Sequence, residues 1–78
     1  MHLEIITPDK TIFEGEADLA QFPGLDGSFE VLNHHTAMIA GLAPGKIKVV
    51  DSSKKEIFYE VQGGVVEVQA NKVLVLAQ

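Results

Sequence analysis

Two adjacent histidines are the most obvious candidates in this chain for residues with a chemical function. His34 and His35 are candidate metal ligands, because neutral imidazole binds transition metals. Neighbouring side chains on an extended backbone point to opposite faces, however, so these two would not converge on one ion. His2 lies far away in the sequence, and nothing in the pattern places it beside them. A loop histidine that packs or forms hydrogen bonds is the better interpretation, and we expect neither a metal nor a cofactor.

Three acidic residues, Glu14, Glu16 and Asp18, recur at a spacing of two. On a strand this spacing places them on one face, where carboxylates could hold a divalent cation. The intervening Gly15 interrupts the register, and the spacing of an EF-hand loop is absent. A solvated acidic face is the simpler interpretation.

Other catalytic patterns are weak or missing. The Gly63-Gly64 pair is followed by neither Lys-Ser nor a helix start, so it is typical of a hairpin turn rather than a phosphate-binding loop. The chain has no cysteine, and no hydroxyl stands in a Ser-His-Asp motif. We therefore expect no active site, so that the chain is not an enzyme by itself.

Lys54 and Lys55 support one alternative function. Carrier domains of about 80 residues, the biotinyl and lipoyl modules, are flattened β structures that present one modifiable Lys at an exposed turn. The segment Asp51-Ser52-Ser53-Lys54-Lys55-Glu56 has the right setting but neither the Met-Lys-Met nor the Asp-Lys-Ala signature. Intact mass after expression with the ligase would reveal a covalent increment on this turn.

The composition limits the remaining classes of function. The 78 residues suffice for one domain, residues 1–78, and the formal net charge is -5. All six basic residues are Lys, which leaves no basic stripe or bidentate Arg for nucleic acid. No apolar run approaches the roughly 20 residues of a membrane span, so we expect no direct membrane insertion.

The elements that position these residues are predicted to be short strands. Alternating apolar side chains mark Leu3 and Ile5, then Lys46-Ile47-Lys48-Val49-Val50, then Ile57, Tyr59 and Val61. Further strands are predicted over residues 65–70 and 73–77, with a turn at Asn71-Lys72. Turn signals every six to twelve residues predict an all-β fold, a flattened antiparallel β-sandwich or barrel of about eight to ten short strands.

Residues 22–35 are predicted to form a protruding loop around which the fold is organised. Pro23-Gly24 and Asp26-Gly27 predict a tight reversal, and Phe29 and Val31 then alternate with polar residues as in a strand. Gly15 predicts a bulge or bend in the preceding strand. The composition of residues 36–42 suits helix and their length suits a strand, and we interpret them as a strand.

These motifs resemble, in order and over the whole chain, the N-terminal β-sandwich of the epsilon subunit of the F-type ATP synthase. The resemblance depends on the following segments: Leu3-Glu4-Ile5-Ile6-Thr7-Pro8, Phe13-Glu14-Gly15-Glu16, Phe22-Pro23-Gly24, Gly27-Ser28-Phe29-Glu30-Val31-Leu32, His35, Leu42-Ala43-Pro44-Gly45, and Gly63-Gly64-Val65-Val66-Glu67-Val68-Gln69-Ala70-Asn71-Lys72-Val73. The last segment is the most specific.

The resemblance implies a non-catalytic rotor part of the central stalk that couples proton-driven rotation to ATP synthesis. Such a subunit binds the gamma subunit and the c-ring, peripherally, within F1 at the bacterial cytoplasmic face of the inner membrane. The ring-facing loop would comprise Leu25, Asp26, Gly27 and Ser28, and the gamma-facing surface would include Thr7, His35 and Ala40.

This sequence departs from the family pattern in two respects. Ser28 stands where many members have an acidic residue, and Asn33-His34 and Thr36-Ala37 replace a common Pro-Gly and Ala-Pro. The helical hairpin that usually follows the sandwich is not among these 78 residues, either because the subunit is naturally short or because the sequence stops at the domain boundary. On either interpretation we expect no nucleotide binding by this polypeptide.

The apolar residues Phe58, Leu74 and Leu76 occupy the alternate strand positions that point away from the predicted core. They either form the patch that binds the gamma subunit or cover a second buried face.

Overall fold

The computed structural model describes all 78 residues, Met1–Gln78, and consists of eight strands joined by turns and short loops. The strands are β1 (His2–Ile6), β2 (Thr11–Gly24), β3 (Gly27–Leu32), β4 (Met38–Leu42), β5 (Gly45–Asp51), β6 (Glu56–Val61), β7 (Gly64–Gln69) and β8 (Lys72–Ala77). The predicted all-β fold is confirmed. The chain has no helix with the length and apolar character needed to cross a bilayer.

The eight strands are hydrogen-bonded into one continuous sheet, which folds into two layers that share the 14-residue strand β2. We call these layers the first and the second sheet. The first half of β2 pairs with β1, and β8, β7 and β4 follow in that order to complete the first sheet. The second half of β2 lies between β3 and β5, with β6 at the edge, and these strands form the second sheet. All pairs are antiparallel except β1 with β8, which is parallel.

The register of β2 shifts at Ile12 and at Asp18, and the predicted bulge at Gly15 is wrong. Gly15 pairs with Leu3 in an uninterrupted register, whereas the register with β5 shifts between Ala17 and Leu19. The extra residue at Asp18 shifts the alternation of side chains by one position. Ala17 and Ala20 can therefore both face the core although they are three residues apart, and Phe22 follows on the same face. The bulge thus marks where β2 passes from one sheet to the other.

Inward side chains of both sheets form one core of 16 buried hydrophobic residues. The alternation predicted for β1 and β6 is confirmed, since Leu3, Ile5 and Val61 are buried and Tyr59 is half-buried. The largest fully buried side chain is that of Phe22, whose ring centroid lies 5.4 Å from that of Phe29. No buried side-chain polar atom lacks a hydrogen-bond partner.

Residues 22–35 form a β-hairpin rather than a protruding loop. Strands β2 and β3 pair up to Gly24 and Gly27, so the reversal is a two-residue turn at Leu25 and Asp26. The φ angle of Gly27 is +119°, a conformation that glycine adopts without steric cost. The predicted tight reversal is confirmed.

Three connections differ from the sequence prediction. Strand β4 begins at Met38, two residues later than predicted. The turn between β7 and β8 is at Ala70 and Asn71, one residue earlier, and both residues have positive φ. The Gly63-Gly64 pair is not a hairpin turn, because β6 and β7 belong to different sheets and do not pair.

Candidate interaction surfaces

The outer faces of the two sheets carry separate apolar residues. Phe58 is 57% exposed on β6 in the second sheet, whereas Leu76 is 41% exposed on β8 in the first sheet. Leu74, also on β8, is half-buried. The prediction that Phe58, Leu74 and Leu76 form one patch is therefore wrong. The alternative, that they cover a second buried face, is wrong for Phe58 and Leu76.

An apolar row crosses the outer face of the first sheet. Ile6 pairs with Leu76, Leu76 with Val65, and Val65 with Gly41, so one residue of each of β1, β8, β7 and β4 lies in line. We call these four residues the outer row. Val65 and Leu76 are both exposed, and a depression of about 380 Å³ beside them is lined by Ile6, Thr7 and Pro8 among others.

One of the three predicted gamma-facing residues, Thr7, lies at an end of the outer row. Thr7 follows Ile6, and its backbone N–H donates to the carbonyl of Lys10 at 2.8 Å. Ala40 precedes Gly41 on β4 and is half-buried. His35 lies apart, in the connection from β3 to β4, where Nδ1 of its ring is 2.7 Å from the carbonyl oxygen of Thr36. The structure therefore places Thr7 beside the outer row. Ala40 pairs with the fully buried Val66, so its side chain lies on the inward face of β4, and His35 lies apart.

The predicted ring-facing loop is the tip of the hairpin formed by β2 and β3. Leu25, Asp26, Gly27 and Ser28 are all exposed, and together with Ala40 they line a depression of about 440 Å³. The tip is tied to β4 by two backbone hydrogen bonds: the N–H of Leu25 donates to Gly41 at 3.0 Å, and the N–H of Ala43 donates to Pro23 at 2.8 Å. Of the predicted gamma-facing residues, Ala40 thus lies beside the predicted ring-facing loop.

Acidic side chains flank the outer row on one side. Glu67 pairs with Leu74, Leu74 with Glu4, and Glu4 with Glu14, so this parallel line of residues is mostly acidic. The predicted solvated acidic face is thus seen for Glu14 and Glu16, which flank the ring of His2 at 3.5 Å and 3.4 Å. Asp18 lies beyond this group, at the bulge. The outer face of the first sheet therefore combines apolar and negative character.

The turn after β5 presents the two lysines of the carrier alternative. The Asp51 carboxylate accepts hydrogen bonds from the backbone N–H groups of Ser53 and Lys55, both at 2.9 Å, and so shapes the turn. Lys54 Nζ donates to the Asp18 carboxylate at 2.7 Å, which ties the turn to the bulge of β2. The Lys54 ammonium therefore has a structural role in this fold.

The same ion pair gives a pH prediction. The hydrogen bond from Lys54 is the largest cause that lowers the pKa of Asp18 from its ordinary value of 3.8. A lowered pKa means that the pair stabilises the fold above the ordinary value and that this contribution is lost as the pH falls through the lowered one. Lys54→Gln should return the Asp18 pKa towards 3.8, as followed by the carboxyl chemical shift in an NMR titration. Lys55→Gln is the matched control, and an unchanged Asp18 pKa in Lys54→Gln would contradict the prediction.

The two adjacent histidines do not share a site. The backbone N–H of His34 donates to the side-chain oxygen of Asn71 at 2.7 Å, and the residue has a φ of +63°. His35 makes its ring contact with Thr36. No group of three or more His, Asp or Glu side chains that could hold a metal ion is present.

Sequence reasoning missed the apolar members of the outer face outside β8. Ile39 is 77% exposed on β4, Val65 is exposed on β7, and Gly41 lies between them in the sheet. The alternation of side chains along β7 could have shown that Val65 points outward, because Val66 and Val68 are buried. The row itself depends on the pairing of four strands, which the sequence alone does not specify.

The closed sandwich, with an exposed apolar row on one sheet and a tied hairpin tip at its end, defines an all-β interaction domain. A family model described as the ATP synthase delta/epsilon chain, beta-sandwich domain, matches residues 1–78. The chain belongs to this family.

Relatives from bacteria agree with this assignment. The ATP synthase epsilon chain of Chlorobium limicola is 38% identical over 97% of this chain, which spans 86% of that protein. The epsilon chain of Caulobacter vibrioides is 33% identical over the whole chain, which spans 90% of it. The epsilon chain of Alkalilimnicola ehrlichii is 35% identical over 99% of this chain, which spans only 55% of that protein.

Two solved structures have the same fold. A chain in the cryo-EM structure of the Euglena gracilis mitochondrial ATP synthase (OSCP/F1/c-ring) superimposes with a TM-score of 0.90 at 25% identity, covering 96% of this chain and 48% of that one. A chain in the central stalk/c-ring structure of the Tetrahymena thermophila mitochondrial ATP synthase gives a TM-score of 0.83 at 23% identity and covers 100% of this chain and 63% of that one. The second likeness shows the fold alone.

Proposed function

We propose that this chain is a non-catalytic rotor subunit of a bacterial F-type ATP synthase. In this proposal the outer face of the first sheet binds the gamma subunit, and the hairpin tip contacts the c-ring. Rotation of the ring is thereby passed to the catalytic head, and the chain needs no active site of its own. It would lie peripherally, as part of F1, at the cytoplasmic face of the inner membrane.

The observation that carries the gamma-binding part is the outer row. Val65 and Leu76 are exposed side by side, at 38% and 41%, on a sheet whose opposite side is fully packed. Apolar side chains that are exposed next to each other on neighbouring strands are typical of a protein interface. Thr7, one of the positions implied by the family pattern, lies beside one end of this row. We therefore assign gamma binding to the first sheet rather than the second.

The hairpin tip suits a contact with the polar loops of a membrane rotor. Its reversal comprises only two residues, and Asp26 and Ser28 present polar groups there. The two backbone hydrogen bonds to β4 hold the tip against the sheet that carries the outer row. A tip fixed in this way keeps its position relative to the gamma-binding face.

Reconstitution of the synthase with and without this chain tests the proposal. The purified chain should co-purify with its own gamma subunit, and proton pumping should stay tied to ATP turnover only when the chain is present. The carrier alternative predicts a mass increment on Lys54 or Lys55 instead. The proposal fails if the chain neither binds gamma nor changes the coupling. Neither the family match nor the engaged ammonium of Lys54 favours the carrier alternative.

A further inference from the structure

Leu25 lies at the hairpin tip, but its side chain packs on the first sheet. A Cβ atom built on Gly41 would lie 2.6 Å from Cδ1 of Leu25 and 3.5 Å from its Cγ. The Leu25 side chain therefore occupies the space that a side chain at position 41 would fill. The hydrogen bond from Leu25 N–H to the Gly41 carbonyl, at 3.0 Å, fixes the backbone at the same point.

This contact extends the outer row by one residue. Gly41 is the end of the row on β4 and pairs with Val65, which pairs with Leu76. With Leu25 over Gly41, the row ends in a large apolar side chain that remains 69% exposed. Leu25 is thus continuous with the surface that the proposed function assigns to gamma.

Ser28, the last residue of the tip, makes a hydrogen bond within the hairpin of β2 and β3. Its hydroxyl oxygen accepts a hydrogen bond from the Gln21 side-chain amide at 3.2 Å, and Gln21 pairs with Lys48 of β5. Asp26 is exposed in the reversal itself. Leu25 and Ser28 therefore have different partners, since Leu25 packs at Gly41 of β4 and Ser28 bonds to Gln21 of β2.

We propose that Leu25, seated on Gly41, contacts the gamma subunit as the last member of the outer row. Gly41 is the positioning residue, because only the absence of a side chain there leaves room for Leu25. The contact with the c-ring then belongs to Asp26, Gly27 and Ser28. This inference rests on the proposed function and changes the assignment of one residue within it.

A double-mutant cycle in the full chain tests the inference. Gly41→Ala should displace only the end of a flexible, exposed side chain, so the melting temperature should stay close to that of the wild type. The affinity for gamma should fall about 10-fold, which is typical when an interface contact is lost. Leu25→Ala should give a similar fall, and the double variant should fall no further, because both changes remove the same contact.

Gly15→Ala is the matched control. A Cβ at this position would meet only the Phe13 ring, at an ordinary 3.6 Å, so this variant should bind gamma as the wild type does. The inference is overturned if the losses of gamma affinity in the two single variants add up in the double variant. It is also overturned if Leu25→Ala binds gamma with wild-type affinity, whether or not this variant still attaches to the c-ring. If Gly41→Ala unfolds, Leu25→Ala alone still decides whether Leu25 contacts gamma. Failure of the wild-type chain to bind gamma would instead contradict the proposed function.

Discussion

Leu76→Glu should lower the affinity of this chain for the gamma subunit by about 100-fold. Leu76 lies in the middle of the outer row, between Val65 and Ile6. A carboxylate buried there against an apolar partner surface would be desolvated without a counter-charge, at a cost of about 3 kcal/mol, and each 1.4 kcal/mol corresponds to a factor of ten. A titration of labelled chain with gamma measures this change directly.

The fold should tolerate the same substitution. Leu76 is already 41% exposed in the free chain, and its neighbours Val75 and Ala77 supply the core side of β8. Phe58→Glu is the matched control, since Phe58 is exposed on the outer face of the second sheet. It should leave the gamma affinity within about a factor of two. If Phe58→Glu weakens binding and Leu76→Glu does not, gamma binds the second sheet and the assignment of faces is wrong.

Phe22→Ala should have the largest effect on stability. Phe22 is fully buried and packs its ring against that of Phe29 at the base of the hairpin tip. Truncating a buried phenylalanine costs about 3 to 5 kcal/mol through lost contacts and the remaining cavity. A domain of this size has a total stability of about 4 to 12 kcal/mol, so the melting temperature should fall by about 15 °C or more.

Thermal unfolding followed by circular dichroism measures the effect of Phe22→Ala. Phe58→Ala is the control with the same chemical change, and because its ring is exposed it should alter the stability by no more than about 0.5 kcal/mol. Equal losses of stability in the two variants would mean that the outer face of β6 is buried by something else, such as a second copy of the chain.

The sequence predicts those parts of the fold in which one face is buried. Strands β5 and β6 alternate strictly, and their inward residues, including Ile47 and Val49, form the core as predicted. The reversal at Asp26-Gly27 was predictable because Gly27 adopts a positive φ that few other residues tolerate. Such features can be predicted because a few neighbouring residues in the sequence specify each of them.

Long-range features could not be predicted in the same way. The bulge lies at Asp18 because β2 must change sheets there, whereas the glycine that suggested a bulge sits in a regular ladder. The Gly63-Gly64 pair resembled a hairpin turn, yet it joins strands of different layers. The outer row likewise depends on the relative register of β1, β8, β7 and β4. Pairing between strands distant in sequence decides all three.

The length of β2 has a mechanical consequence. One strand of 14 residues contributes to both sheets, and the hydrogen bonds of its first half to β1 and of its second half to β3 and β5 leave no hinge between the layers. In the proposed function, torque applied by the c-ring at Asp26 would have to break these ladders before one layer could slide over the other. The whole domain should therefore rotate as one rigid body, with little twist between the c-ring contact and the gamma subunit.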